Sequence, residues 1–298
     1  MKLVAACYQN DLFLGKLIEE QNVVFNLSMA AKEKNMEFPA TMLEGIKLGT
    51  VFLDKINQLL DTFHENLLFT YGLDDPDLQW LAPIPRPAKN IFCVGKNYKD
   101  HAIEMGSEAD IPEHVMMFSK APTSVIGHGA GIPRHEGITE ELDYEGELAV
   151  VIGKIGIGIT AEEAMDHVFG YTIINDVTAR DLQKRHKQFL IGKSLDGSCP
   201  MGPCIVPKEY LGDPHELKLI TKVNGEVRQD GNTKDFIFTI PEIIKALSAG
   251  TTLEPGDIIA TGTPAGVGKG FKPPKLLNSG DQVEITVEGI GTLSNEVI

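Results

Sequence analysis

Apolar positions along the chain follow two rhythms. Over residues 1 to 25 they come in short runs, Lys2 to Cys7, Leu12 to Ile18 and Val23 to Leu27, parted by Gln9-Asn10-Asp11 and Glu19-Glu20-Gln21-Asn22, which predicts a small β-meander. The spacing then lengthens to three and four, and helices are predicted over 28–35, 40–48 and 50–65. In the last, Val51, Phe52, Ile56, Leu59, Leu60 and Phe63 share a face, which implies packing against the rest of the chain rather than ligand binding. Asp74-Asp75-Pro76 and Pro83-Ile84-Pro85-Arg86-Pro87 next demand extended backbone. A boundary is therefore expected near residue 80, dividing a small N-terminal α+β domain, 1–80, from a larger one, 81–298.

From Ile91 onward strands and turns dominate. Asn224-Gly225 between Leu219–Val223 and Glu226–Arg228 predicts a hairpin, because a type I′ turn needs positive φ at both central residues. Glu254-Pro255-Gly256-Asp257 and Asn278-Ser279-Gly280-Asp281 each precede an apolar strand. Few helices are expected: one opened by a Thr160-x-x-Glu163 capping box and running to His167, and one over Pro241–Ser248 stopped at Gly250. Many short strands with turn signals suggest a β-rich sandwich or barrel.

Within this region Leu142–Gly153 sets Glu145 and Glu147 at the mouth of an apolar, β-branched run. Alternate side chains of a strand point the same way, so the two carboxylates share one face and Leu148, Val150 and Ile152 the other. Phe169–Ile174 reads as a further strand that runs into Asn175–Asp181 and brings a third carboxylate, Asp176, to its end. Such a set is hard and all-oxygen: it suits Mg²⁺ or Mn²⁺, tolerates Ca²⁺ and argues against zinc. An isolated E-x-E pair is also common on a solvated strand edge. A second pair, His101 and Glu104, falls three apart on a short predicted helix ending at Gly106, where a carboxylate would orient an imidazole and raise its basicity. From the residues alone it is equally an ordinary surface contact.

Composition narrows the partners. The 298 residues are 42% hydrophobic, ample for a packed core, and carry a net charge of −15. Phosphate binding needs clustered Lys and Arg, so a nucleic-acid partner is not expected. The same acidity repels dicarboxylates at long range, leaving a local metal and lysines to supply attraction. Cys7, Cys93, Cys199 and Cys204 show no C-x-x-C spacing and no secretory cleavage pattern follows Met1, which predicts reduced thiols in a cytoplasmic protein. No apolar run approaches the roughly 20 residues that span a bilayer, so no membrane association is expected.

Five motifs, in order, carry a resemblance. Gly95-Lys96-Asn97-Tyr98-Lys99-Asp100-His101, the E-x-E strand, Asn175–Gln183 (N-D-x-T-A-R-D-x-Q), Gly192-Lys193-Ser194-Leu195-Asp196 and Thr261–Gly268 (T-G-T-P-A-G-V-G) resemble those of the fumarylacetoacetate hydrolase family over roughly residues 80 to 298. The chain looks like the bacterial type close to the acylpyruvate hydrolases and oxaloacetate decarboxylases. Lys96 departs from the arginine of many relatives: the charge is kept and the fork that grips a carboxylate is not. Gly268-Lys269-Gly270 lacks the Ser or Thr of a phosphate loop, and nucleotide binding is rejected.

The resemblance implies a mixed, rolled β-sheet fold, a homodimer, and a site in which Glu145, Glu147 and Asp176 hold the metal. It implies a His101–Glu104 dyad on a mobile segment, with Ser107–Glu113 as a lid. Lys193 would hold a substrate carboxylate and stabilise an enolate, while Lys96, Lys120, Gln183 and Thr263 would contact substrate. Arg180 and Asp181 are read as a structural ion pair or as substrate contacts. A 2-oxo acid chelated through carboxylate and keto oxygen would form an enolate there. Loss of CO₂ gives oxaloacetate decarboxylation, the reading favoured by the Lys99–His114 segment and the extra N-terminal region. Attack of water activated by His101 and Glu104 gives acylpyruvate hydrolysis. A dioate isomerase or decarboxylase, and a non-enzymatic binding role of the N-terminal region, are the alternatives.

Overall fold

In a computed structural model of the chain, residues 1–63 and 67–298 are described. The expected meander forms as Leu3–Tyr8, Asp11–Ile18 and Val23–Asn26. Helices follow at Leu27–Glu33, Met42–Leu48 and Thr50–Phe63; the end of the helix expected to reach residue 65 lies outside the described residues. Asn26 and Thr41 cap the first two, the latter in a capping box closed by Glu44. Phe52, Ile56 and Leu59 are fully buried, worth about 1.5–3 kcal/mol each by the usual transfer scale. Val51 lies on the exposed side.

Twelve strands join one mixed sheet among the described residues. Its central run is Leu3–Tyr8, Cys199–Pro207, Val168–Asn175, Gly146–Ile152, Ile258–Ala260, Ile91–Gly95 and Met116–Lys120, in that order. Most neighbours are antiparallel; Ile258–Ala260 and Ile91–Gly95 run parallel. The sheet does not close on itself, so the barrel alternative is excluded. A second, four-stranded antiparallel sheet holds the Asn224-Gly225 hairpin, with φ 51° and 78° at the two turn residues, as their sequence requires. The proline-rich connection contains a strand that its sequence hides, Leu78–Leu81, paired with Leu3–Tyr8. The Thr160 box forms its hydrogen bonds but opens only a 3₁₀ turn, Ala164–His167.

Two apolar cores flank the central sheet. Leu148, Val150 and Ile152 enter one, with the second sheet; Ala149 and Val151 enter the other, with Phe52, Ile56 and Leu59 of the N-terminal helices. Residues on both sides of position 80 thus share one core, and Leu3 pairs across to Ile205.

Candidate active site

One end of the central sheet gathers the site. Gly146–Ile152 starts there, Val168–Asn175 ends there, and the parallel pair Ile258–Ala260 and Ile91–Gly95 both run out towards it. The register Gly146↔Asn175 sets Asp176 beside Glu145, and the Asp176 amide donates to the Glu145 carbonyl at 2.8 Å. Glu145, Glu147 and Asp176 each bring an oxygen within 4.8 Å of the others, and all three are buried.

Cations meet this triad unevenly. Lys193 Nζ lies 2.7 Å from Glu145 and 2.6 Å from Asp176, and Arg180 Nη1 lies 2.7 Å from the other Glu145 oxygen. Burial would raise the Glu145 carboxyl, but Lys193 and Arg180 beside it hold it well below the usual range. Among the described residues Glu147 accepts only the Gly262 amide, at 2.8 Å, and has no ion pair. Burial, with Asp176 and Glu145 adding like charge, pushes it well above the usual range. Asp176 Oδ1 lies 2.9 Å from Lys120 Nζ without a hydrogen bond's alignment. An all-oxygen cluster with an under-compensated carboxylate and an unbonded buried oxygen fits a hard divalent cation.

A cavity of about 790 Å³ opens over the triad. Glu145, Glu147, Lys193, His101, Lys96, Gln183 and Thr263 line it, whereas Glu104 and Asp176 stand behind that lining. Lys120 is placed differently from the expectation of a substrate contact. It is wholly buried off the cavity, its ammonium spent on the Val177 and Lys193 carbonyls and on Asp176, because a cation with no route to water must find oxygens. It is a strut under the triad. Lys96 sits at φ +55°, a left-handed position uncommon for a side-chain-bearing residue, and pairs with Asp110 at 3.3 Å on the segment expected as a lid.

Arg180 and Asp181 do not pair with each other. Arg180 Nε binds Asp143 at 2.8 Å, and its Nη2 is buried with no hydrogen-bond partner among the described residues; Asp181 accepts from the Thr139 hydroxyl at 2.5 Å. Arg180 opens the helix Arg180–His186, and its guanidinium reaches Glu145 beside the strand start. The loop rejected as a phosphate cradle proves to be a carboxylate cradle. Its backbone amides donate to Glu147 from Gly262, to Glu104 from Gly266, and to Asp143 from Gly268 and Lys269. His101 Nδ1 lies 3.3 Å from Glu104, and both belong to the helix Lys99–Glu104.

The family pattern "Fumarylacetoacetate (FAA) hydrolase C-terminal" matches residues 90–298. The chain belongs to the fumarylacetoacetate hydrolase family. "Oxaloacetate tautomerase YisK" of Bacillus subtilis is 55% identical over 302 residues, with both chains covered in full. The structure of a fumarylacetoacetate hydrolase from Exiguobacterium antarcticum superposes with a TM-score of 0.82 at 42% identity, covering 100% of this chain and 99% of that one. A 2-hydroxyhepta-2,4-diene-1,7-dioate isomerase from Mycobacterium marinum gives 0.72 at 31%, covering 100% and 98%. The protein is thus a family enzyme with a buried acidic triad able to take a divalent metal. Among the described residues no helix is long and apolar enough to cross a membrane.

Proposed function

We propose that the protein interconverts the enol and keto forms of oxaloacetate at the cavity over Glu145, Glu147 and Asp176. One observation carries the reading: a protein of net charge −15 lines this cavity with six cationic residues, Lys96, Arg180, Lys184, Arg185, Lys193 and Lys269, against four acidic ones. That inversion suits a small dianion held over a metal-binding floor. The 55% identity to a protein named oxaloacetate tautomerase, over full length, supports the same substrate.

A divalent cation on the triad would supply Lewis acidity towards the oxygens of a 2-oxo acid. The remaining work falls to the chain. His101, held by Glu104, moves the proton at C3: it takes it as the C3–H bond breaks to the enolate and returns it as the ketone forms, while the C2 oxygen takes its proton from solvent on the way to the enol and gives it back on the way to the ketone. Lys193 faces the charge that develops on the C2 oxygen, and Arg180, which also lines the cavity, adds positive charge beside a carboxylate. Gln183 and Thr263 line the walls, while Lys120 keeps Asp176 in place.

Decarboxylation, the reading favoured from the sequence, shares the enolate and breaks the C3–carboxylate bond instead; it falls second because the cationic lining would hold that carboxylate rather than release it as neutral CO₂, and because the full-length relative is named a tautomerase. Ultraviolet decay of freshly dissolved enol, followed beside pyruvate release from oxaloacetate and from acetylpyruvate, separates the readings. Enol decay above a metal-only blank without pyruvate supports the tautomerase. Pyruvate from oxaloacetate replaces it with the decarboxylase, and pyruvate from acetylpyruvate with the hydrolase.

A further inference from the structure

Glu104 is held from outside its own helix. Both of its carboxylate oxygens accept from the Gly266 amide, at 2.9 and 3.1 Å, and Oε2 also lies 3.3 Å from His101 Nδ1. One contact therefore fixes where the carboxylate stands, and the other passes that position to the imidazole lining the cavity. Two glycines shape the seat. Gly266 has φ +104°, and a Cβ there would run into the Arg228 carbonyl, so the turn itself needs glycine. Gly270 is different. The three atoms nearest to a Cβ at this position all belong to Glu104: Cγ at 2.5 Å, with Cδ and Oε1 closer still. The backbone there is not left-handed, and what would have to yield is the flexible end of one side chain.

We infer that Gly270 is a positioning residue for the His101–Glu104 dyad: the side chain it lacks is the space in which Glu104 docks on the loop. The inference rests on the reading of that dyad as the group that moves the C3 proton, and it adds that loop 261–270, which also binds Glu147 and Asp143, sets where the dyad stands. An alanine at 270 should leave the backbone and triad alone and turn the Glu104 carboxylate out of its seat.

A double-mutant cycle tests this on the full chain with Mn²⁺, reading kcat and KM for oxaloacetate enol together with melting temperature. Gly270→Ala is expected to fold, to keep its Mn²⁺-induced rise in melting temperature, and to lose at least about 10-fold in kcat with KM changed less than about 2-fold. Glu104→Ala should lose more, and the double variant should equal Glu104→Ala, because the methyl then has nothing left to displace. A loss in the double variant that multiplies the two single losses would mark a general structural effect and overturn the inference. So would wild-type kcat in Gly270→Ala while Glu104→Ala is impaired, an outcome that leaves the dyad reading intact. Wild-type kcat in Glu104→Ala would overturn both. Glu104→Asp is the independent check, needed if Gly270→Ala does not fold: its carboxylate is one methylene too short for Gly266, and full activity in it would likewise refute the seat.

Discussion

Replacing Glu147 with glutamine tests the triad most directly. The substitution keeps the shape of the side chain and an oxygen for the Gly262 amide, but removes the carboxylate that burial, Asp176 and Glu145 push upward. The metal-free variant should therefore be at least as stable as the wild type. The metal response should collapse. Groups that merely orient a metal ligand cost 10–100-fold in affinity when lost, so loss of a ligand should cost about 100-fold or more. With Mn²⁺ at 100 times the wild-type Kd, binding stabilises the wild type by about 2.7 kcal/mol; the same concentration gives the variant only about 0.4 kcal/mol. An unfolding entropy of about 2.1 cal/mol/K per residue over 298 residues converts these to rises of roughly 4 °C and below about 1 °C. Differential scanning fluorimetry with and without Mn²⁺ reads both. An equal rise in the two proteins would refute the assignment of Glu147 as a ligand.

Three other outcomes are expected. His101→Asn should lower kcat by about 10²–10⁴-fold while keeping the Mn²⁺-induced rise in melting temperature, since the imidazole hydrogen-bonds Glu104 and not a triad oxygen; loss of the metal response would place His101 among the ligands. Lys193→Met strips the buried counter-ion from Glu145 and Asp176, so the metal-free protein should lose about 3–5 kcal/mol, roughly 5–8 °C, and Mn²⁺ should restore more in the variant than it adds to the wild type; an unchanged melting temperature would contradict the ion pairs. Burial pushes the Cys199 and Cys204 thiols up to about 12, so those two thiolates appear only as pH climbs towards that range, and burial likewise raises the Cys93 thiol. Alkylation of native protein at pH 8 should mark the half-buried Cys7 first, and mass spectrometry showing Cys199 labelled faster would refute it.

The parts of this site legible in the sequence are those set by local periodicity. Glu145 and Glu147 share a face because a strand repeats every two residues, and Asp176 joins them because its own strand ends where theirs begins. His101 and Glu104 meet because a helix brings every third residue round. What stayed hidden depends on segments that approach from far along the chain. Nothing near Lys120 says that its ammonium will end against the carbonyls of Val177 and Lys193, and the composition of 76–87 conceals a strand whose partner lies some seventy residues earlier. Loop 261–270 is the clearest case. Its glycines read as a failed phosphate loop, because glycine spelling reports only that amides are exposed, not which anion they receive. In the fold the anions are the protein's own carboxylates, drawn from residues 104, 143 and 147. One loop therefore holds a member of the triad, the orienting half of the dyad and the partner of Arg180. Substitutions in it should disturb proton transfer and metal binding separately, according to which amide they move.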